Sequence, residues 1–329
     1  MEFHYNVYGC YLEPADDIEL AKDAVDAGFE GIWIGDHFLP WVSNRPYTHH
    51  PFSWLGSLMN EISDVPVGTS VTCPMIRYRP PLLAQSIATL DNMYPGRFNL
   101  GVGVGEALNE AQFIDGEWPS WSTRAEMLIE SLDLMEELWT TDEYIDHDGE
   151  HFQHDGMKLH TNAKEHISIH WAGWGPQSCQ YAGQHADHLL TSADISIISE
   201  TVVPNYKKGL AAAGRDFESR TVTNEVRAKY GNPASMVEEV RKMGDYTPKS
   251  ELGNPDPRDI QSVAHERLAE MSDREIQEDM NMSDDPEDFI KMIEDLEDAG
   301  VNRVIIASNA GDPRATLEVF EEEVIPHFA

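Results

Sequence analysis

The stretch Asp26–Ile34, DAGFEGIWI, has a near copy at Asp298–Ile306, DAGVNRVII. In each, an acid-rich amphipathic segment ends on a glycine, Gly28 or Gly300, and a short apolar run follows. Glycine just past a helix takes up left-handed backbone without strain. An apolar run that does not alternate suits a strand covered on both faces. Both phrases read as helix, turn, buried parallel strand. The same rhythm runs along the chain. Strand-like segments fall at 3–8, 31–35, 65–71, 97–104, 167–172, 187–192, 221–228 and 302–307, with amphipathic helical patterns such as 15–27, 81–93, 122–139 and 285–299 between them. Eight such units predict an α/β fold, a (β/α)8 TIM barrel with insertions, over a single domain spanning 1–329. The seventh run, TNEVRAKYG, is the most polar. Residues 142–160 leave the repeat and read as a turn-rich hairpin excursion. Residues 245–284 read as a long polar insertion, of the kind that can act as a lid.

The chain has 59 acidic against 23 basic residues, a net charge of -36. Acids on helical segments between apolar strands, with eight Trp, describe a folded protein with an acidic shell rather than a disordered one. Halophiles use such a shell for solubility, and molar salt would screen it within about 3 Å. The charge argues against nucleic acid, whose phosphates it would repel. No apolar run is long enough to span a membrane, and the N-terminus lacks a secretion signal. Cys10, Cys73 and Cys179 lie far apart and read as reduced thiols of a cytoplasmic protein. Fourteen His are scattered without metal-site spacing, so no metal is expected.

In a TIM barrel the chemistry gathers at the C-terminal ends of the strands. The polar residues there are Glu13; Asp36, His37 and Trp41 in GDHFLPW; Ser70, Thr72 and Cys73; Glu106 and Asn109 in GVGVGEALNE; the AGWGP segment through Gly175; then Thr191 and Ser192. Singly, each has a structural use: a histidine at a strand end often serves packing, and an aspartate can cap a helix. The glycines of GVGVGE miss the spacing of a dinucleotide fingerprint. Their alternation suits a flat ring lying on bare backbone. AGWGP, at a helix start, offers N–H groups to an anion.

Together, DHFLPW, GTSVTCPMIRYRP, MYPGRFNLGVGVGEALNE and GEWPSW resemble the coenzyme F420-dependent branch of the luciferase-like monooxygenase superfamily, in its glucose-6-phosphate dehydrogenase and secondary alcohol dehydrogenase types. The resemblance is dense over 1–140 and thin over 205–285. It implies a barrel, usually homodimeric, with the deazaflavin in its mouth. It places Asp36 at the cofactor ring and Ser70, Val71, Thr72 and Cys73 along it, with a cis peptide at Ser70–Val71. Val104, Gly105 and Asn109 would line the cofactor, and Gly175, Gln177 and Ser178 would hold its phosphate tail. His37 matches the base that takes the hydroxyl proton, Trp41 its wall, Glu106 the acid serving the ring nitrogen, and Glu13 a further carboxylate.

At least two of the three phosphate-binding cations of the sugar-phosphate enzymes are not matched. One falls at Thr191–Asp194, taken here as a substrate contact through Thr191, and another near Asp279. A dianion calls for a cationic clamp. The expected substrate is therefore a neutral alcohol or an unphosphorylated sugar rather than glucose 6-phosphate. The alternatives are an F420-dependent reductase of a methylene-pterin or imine, an F420-dependent glucose-6-phosphate dehydrogenase, an FMN monooxygenase, and a barrel that binds without catalysing.

Overall fold

The computed structural model describes residues 1–40, 45–244, 246, 258–308 and 311–329. Eight parallel strands, Glu2–Asn6, Gly31–Ile34, Val67–Thr69, Phe98–Val102, Ser168–Ala172, His188–Thr191, Val222–Arg227 and Arg303–Ala307, close into a barrel in chain order. Closure is made where Glu2–Asn6 pairs with Arg303–Ala307, from Glu2 opposite Arg303 to Asn6 opposite Ala307. The polar seventh run is a barrel strand like the others.

Local chemistry explains the punctuation. Helices starting at Pro14, Pro51, Pro80, Pro176, Pro233, Pro286 and Pro313 all open on proline. Its missing N–H costs nothing in the first turn, and its φ is already helical. The two DAG phrases end their helices identically. Gly28 and Gly300 have φ of +91° and +97°. In the first, the Gly28 N–H reaches the Val25 carbonyl and the Phe29 N–H the Ala24 carbonyl; in the second, Gly300 reaches Glu297 and Val301 reaches Leu296. This paired closure satisfies carbonyls that would otherwise be orphaned.

Inside the barrel, Trp33, Leu190 and Ile305 form one packed layer. Small residues make room for it: a Cβ on Gly68 would lie 2.6 Å from the Trp33 ring, and one on Gly101 only 1.8 Å from the Thr69 carbonyl oxygen. Trp33 Nε1 donates to His4 Nδ1 at 2.7 Å, and its ring meets His170 edge-on. Burial pushes the His4 and His170 imidazoles well down, so these are neutral packing groups. Bulk and hydrogen bonds thus close the barrel interior and leave the strand C-termini as the open end.

Outside the repeat, Ile145–Asp148 and Gln153–Met157 pair as an antiparallel hairpin. Glu130 anchors it, accepting from the His151 and Phe152 N–H groups and from the His147 ring. Within 245–284 lie helices Ile260–Glu270 and Asp273–Asp279 and the short strand Met282–Ser283. With helix Pro233–Met243 they enclose a small core of Met236, Val237, Val240, Leu268, Ile276, Met280 and Met282.

Candidate active site

The second strand delivers Asp36 and His37 to the mouth. Asp36 is 3% exposed. Its carboxylate is engaged by the Arg77 guanidinium, by the Thr72 hydroxyl at 2.8 Å and by the Tyr78 hydroxyl at 3.0 Å. Burial raises its pKa, against the pull of Arg77 and the two hydroxyls. Asp36 therefore ties the DHF turn to the IRY segment through its side chain. The half-buried His37 ring packs beside Gly35. Burial first, and Arg77 second, push its pKa down to about 4, so it is a neutral base at ordinary pH. Trp41 lies outside the described residues.

The third strand runs into a cis peptide at Ser70–Val71. The Ser70 N–H donates to the Ile34 carbonyl at 2.9 Å. Thr72 is fully buried, and its N–H donates to the Gly101 carbonyl. Cys73 is buried against Met75 and Gly105, and burial lifts its thiol well above the usual range. It is packing, not a nucleophile.

Gly105, at φ +81°, turns the fourth strand toward the short helix Ala107–Glu110. Arg124, stacked over Trp118, holds this turn by donating to the Val104 carbonyl at 2.9 Å. Glu106 is half-buried, and its backbone N–H donates to Glu110 Oε2 at 2.6 Å. Glu110 is 3% exposed. Burial and then the Glu106 charge push its pKa up to about 8. Asn109 is 1% exposed; its Oδ1 accepts from the Phe38 and Leu39 N–H groups at 2.8 and 3.0 Å, joining GEALNE to DHFLP. Its Nδ2 is buried with no hydrogen-bond partner among the described residues. A buried donor left so costs about 1–3 kcal/mol unless a ligand accepts from it.

After the fifth strand, Gly175 precedes the ten-residue helix Pro176–His185, and a Cβ there would meet nothing. Gln177 is exposed and donates to the Tyr181 hydroxyl. Ser178 points inward: its Oγ donates to the Ala172 carbonyl and accepts from Trp171 Nε1. That side chain is not presented to a tail. Thr191 is fully buried, its Oγ1 accepting the Ala193 N–H at 3.3 Å, and is not open to a substrate. Glu13 is exposed and accepts from the Tyr47 hydroxyl at 3.0 Å. Asp279 faces Arg227 at 3.4 Å.

Sequence reasoning missed Arg77, Glu110 and Glu225. Glu225, on the seventh strand, accepts from Ser70 Oγ across the barrel mouth. The signal for it was the polarity of TNEVRA in a strand whose neighbours are apolar. Arg77 stood in the quoted PMIRYRP without a role, and Glu110 in GEALNE.

The chain matches the luciferase-like monooxygenase family model over residues 4–324, and it belongs to that family. Among its relatives, an F420-dependent glucose-6-phosphate dehydrogenase of Gordonia bronchialis is 32% identical over 96% of this chain and 94% of that protein. One of Rhodococcus erythropolis is 31% identical over 95% and 93%. A solved F420-dependent secondary alcohol dehydrogenase, in complex with an F420–acetone adduct, superposes with a TM-score of 0.90 at 31% identity, over 100% of this chain and 99% of that one. A tetrahydromethanopterin reductase from Methanopyrus kandleri, at 20% identity and a TM-score of 0.78, shares the fold.

Proposed function

We propose that this chain is a coenzyme F420-dependent oxidoreductase, moving hydride between the carbinol carbon of an uncharged alcohol or sugar and the cofactor. The full-length likeness to the alcohol dehydrogenase carries this reading. The chain's own residues fit the group. Asn109 Nδ2 awaits an acceptor. Gly175, where a Cβ would meet nothing, opens a helix whose first-turn N–H groups suit an anionic tail. With Ser178 turned inward, backbone rather than hydroxyl would hold that tail.

When bound, the deazaflavin supplies a two-electron hydride acceptor that does not readily activate oxygen. The protein does the rest. His37, neutral above about pH 4, takes the hydroxyl proton on its imidazole as the carbonyl forms. Glu106 would serve as the acid for the ring nitrogen. Val71 and Val104 would give the ring apolar contact. Glu13 lies at the rim as a further carboxylate for the substrate. Asp36, Thr72 and Cys73 support the ring-binding segment from behind.

Glucose 6-phosphate is the second reading, favoured by the relatives' activity. Against it stands Arg227, a cation at the end of a barrel strand whose charge is met by Asp279. We further propose a cytoplasmic homodimer in a halophile; the acidic shell supports the halophilic origin, and three free buried cysteines fit a reducing compartment. Among the described residues no helix is long and apolar enough to cross a membrane.

The test is a titration of the protein with F420 and with FMN in about molar salt, following Trp fluorescence, then an alcohol and sugar screen at the F420 absorbance band. Tight binding of FMN alone would overturn the proposal.

A further inference from the structure

Barrel interiors are normally filled by bulky apolar residues in layers drawn from alternate strands. Above the Trp33, Leu190 and Ile305 layer this barrel departs from that rule. Asn6 on the first strand, Ser70 after the third and Glu225 on the seventh meet there, side chain to side chain. The Ser70 hydroxyl donates to Glu225 Oε2, and the Asn6 amide donates to the same carboxyl. Three polar groups below a cofactor site are costly unless they satisfy one another, and these do. Glu225 is half-buried, and since the packed layer closes the barrel beneath it, its accessible edge faces the mouth.

Each partner leads to one side of the reaction site. Ser70 is half of the Ser70–Val71 segment. Asn6 Oδ1 accepts the Tyr8 N–H at 2.9 Å and so fixes Tyr8 at a φ of +57°. The Tyr8 carbonyl oxygen and the His37 ring both lie 3.1 Å from the place a Cβ on Gly35 would take, so the Tyr8 turn and the imidazole share that glycine as a neighbour.

We propose that Glu225 is a positioning residue, a clamp whose carboxyl holds the cofactor-bearing Ser70–Val71 segment and the Asn6–Tyr8 turn behind His37 in a fixed relation. This rests on the F420 reading for the identity of the cofactor that is positioned. Burial raises the Glu225 pKa, while the Ser70 and Asn6 hydrogen bonds and Arg227 pull it back.

The experiment compares Glu225→Ala, Glu225→Gln, Ser70→Ala and the Ser70→Ala/Glu225→Gln double variant with the wild type. The readouts are cofactor affinity by Trp quenching and the thermal midpoint. Removing an acceptor shared by the Ser70 hydroxyl and the Asn6 amide leaves both unsatisfied, so Glu225→Ala should weaken F420 binding at least about tenfold. Glu225→Gln, whose carbonyl still accepts from Ser70, should stay within about threefold. The losses in the double variant should be less than the product of the single ones, as for groups in contact. If Glu225→Ala does not fold, the Gln variant and the cycle decide alone. Lower thermal midpoints with unchanged affinity in the folded protein, or multiplicative losses in the cycle, would overturn the clamp. A wild type that binds FMN and not F420 overturns the cofactor reading, and the same titration with FMN then reads the clamp. A wild type that binds neither overturns both.

Discussion

Glu110 should make this protein lose stability on the alkaline side, and a single substitution should abolish that loss. Its carboxyl is buried under Glu106 with a pKa of about 8 against an ordinary 4.5. Between those values the unfolded chain has released the proton and the folded protein has kept it. Folding then takes up a proton, and stability falls as pH rises from 4.5 to 8, with the whole deficit present above 8. The gap of 8 − 4.5, at 1.36 kcal/mol per pKa unit, sets an upper figure of ~5 kcal/mol. Glu110→Gln keeps the volume and an acceptor for the Glu106 N–H, and it cannot ionise. Urea unfolding of both proteins at pH 5 and pH 8.5, in the same high salt, gives the difference directly. The wild type should lose ~2–4 kcal/mol more than the variant over that interval. Equal losses would refute the argument, since Glu110 would then ionise as an ordinary surface carboxylate does.

Other consequences are as direct. Replacing His37 by Ala should cut alcohol oxidation by about 10²–10⁴-fold while F420 affinity holds. Because His37 is depressed to about 4, the acid limb of kcat/KM should fall near that pH, and a midpoint near 6.5 would contradict the burial. The same depression makes stability fall as pH drops from 6.5 toward 4. Asn109→Ala removes the acceptor for two loop N–H groups and should cost about 1–3 kcal/mol of stability together with cofactor affinity, both read in one titration series. Gly101→Ala drives a methyl into the Thr69 carbonyl and should yield no folded protein, whereas Gly175→Ala, with open space around it, should give wild-type circular dichroism. Dialysis to low salt should unfold the acidic shell, and an unchanged spectrum there would remove the halophilic reading.

Read as a string, the chain shows its barrel. The strands are announced by unbroken apolar runs, the helices by their period, and the boundaries by proline at the start and glycine at the end. These are local rules of backbone geometry that act within a few residues. DHFLPW and GEALNE were legible as the mouth of the site for the same reason, because a barrel puts strand ends there. What the string could not show is which way the side chains turn. Asp36 meets Arg77 from 41 residues away, and Ser70 meets Glu225 from 155. Ser178 and Thr191, both plausible contacts by position, are turned into the protein by bonds to Ala172 and Ala193. Strand order is fixed by pattern, but whether a polar side chain faces a ligand or a neighbour depends on which groups closure of the barrel brings within 3 Å or so of each other. Closure joins distant segments, so that choice belongs to the tertiary structure alone.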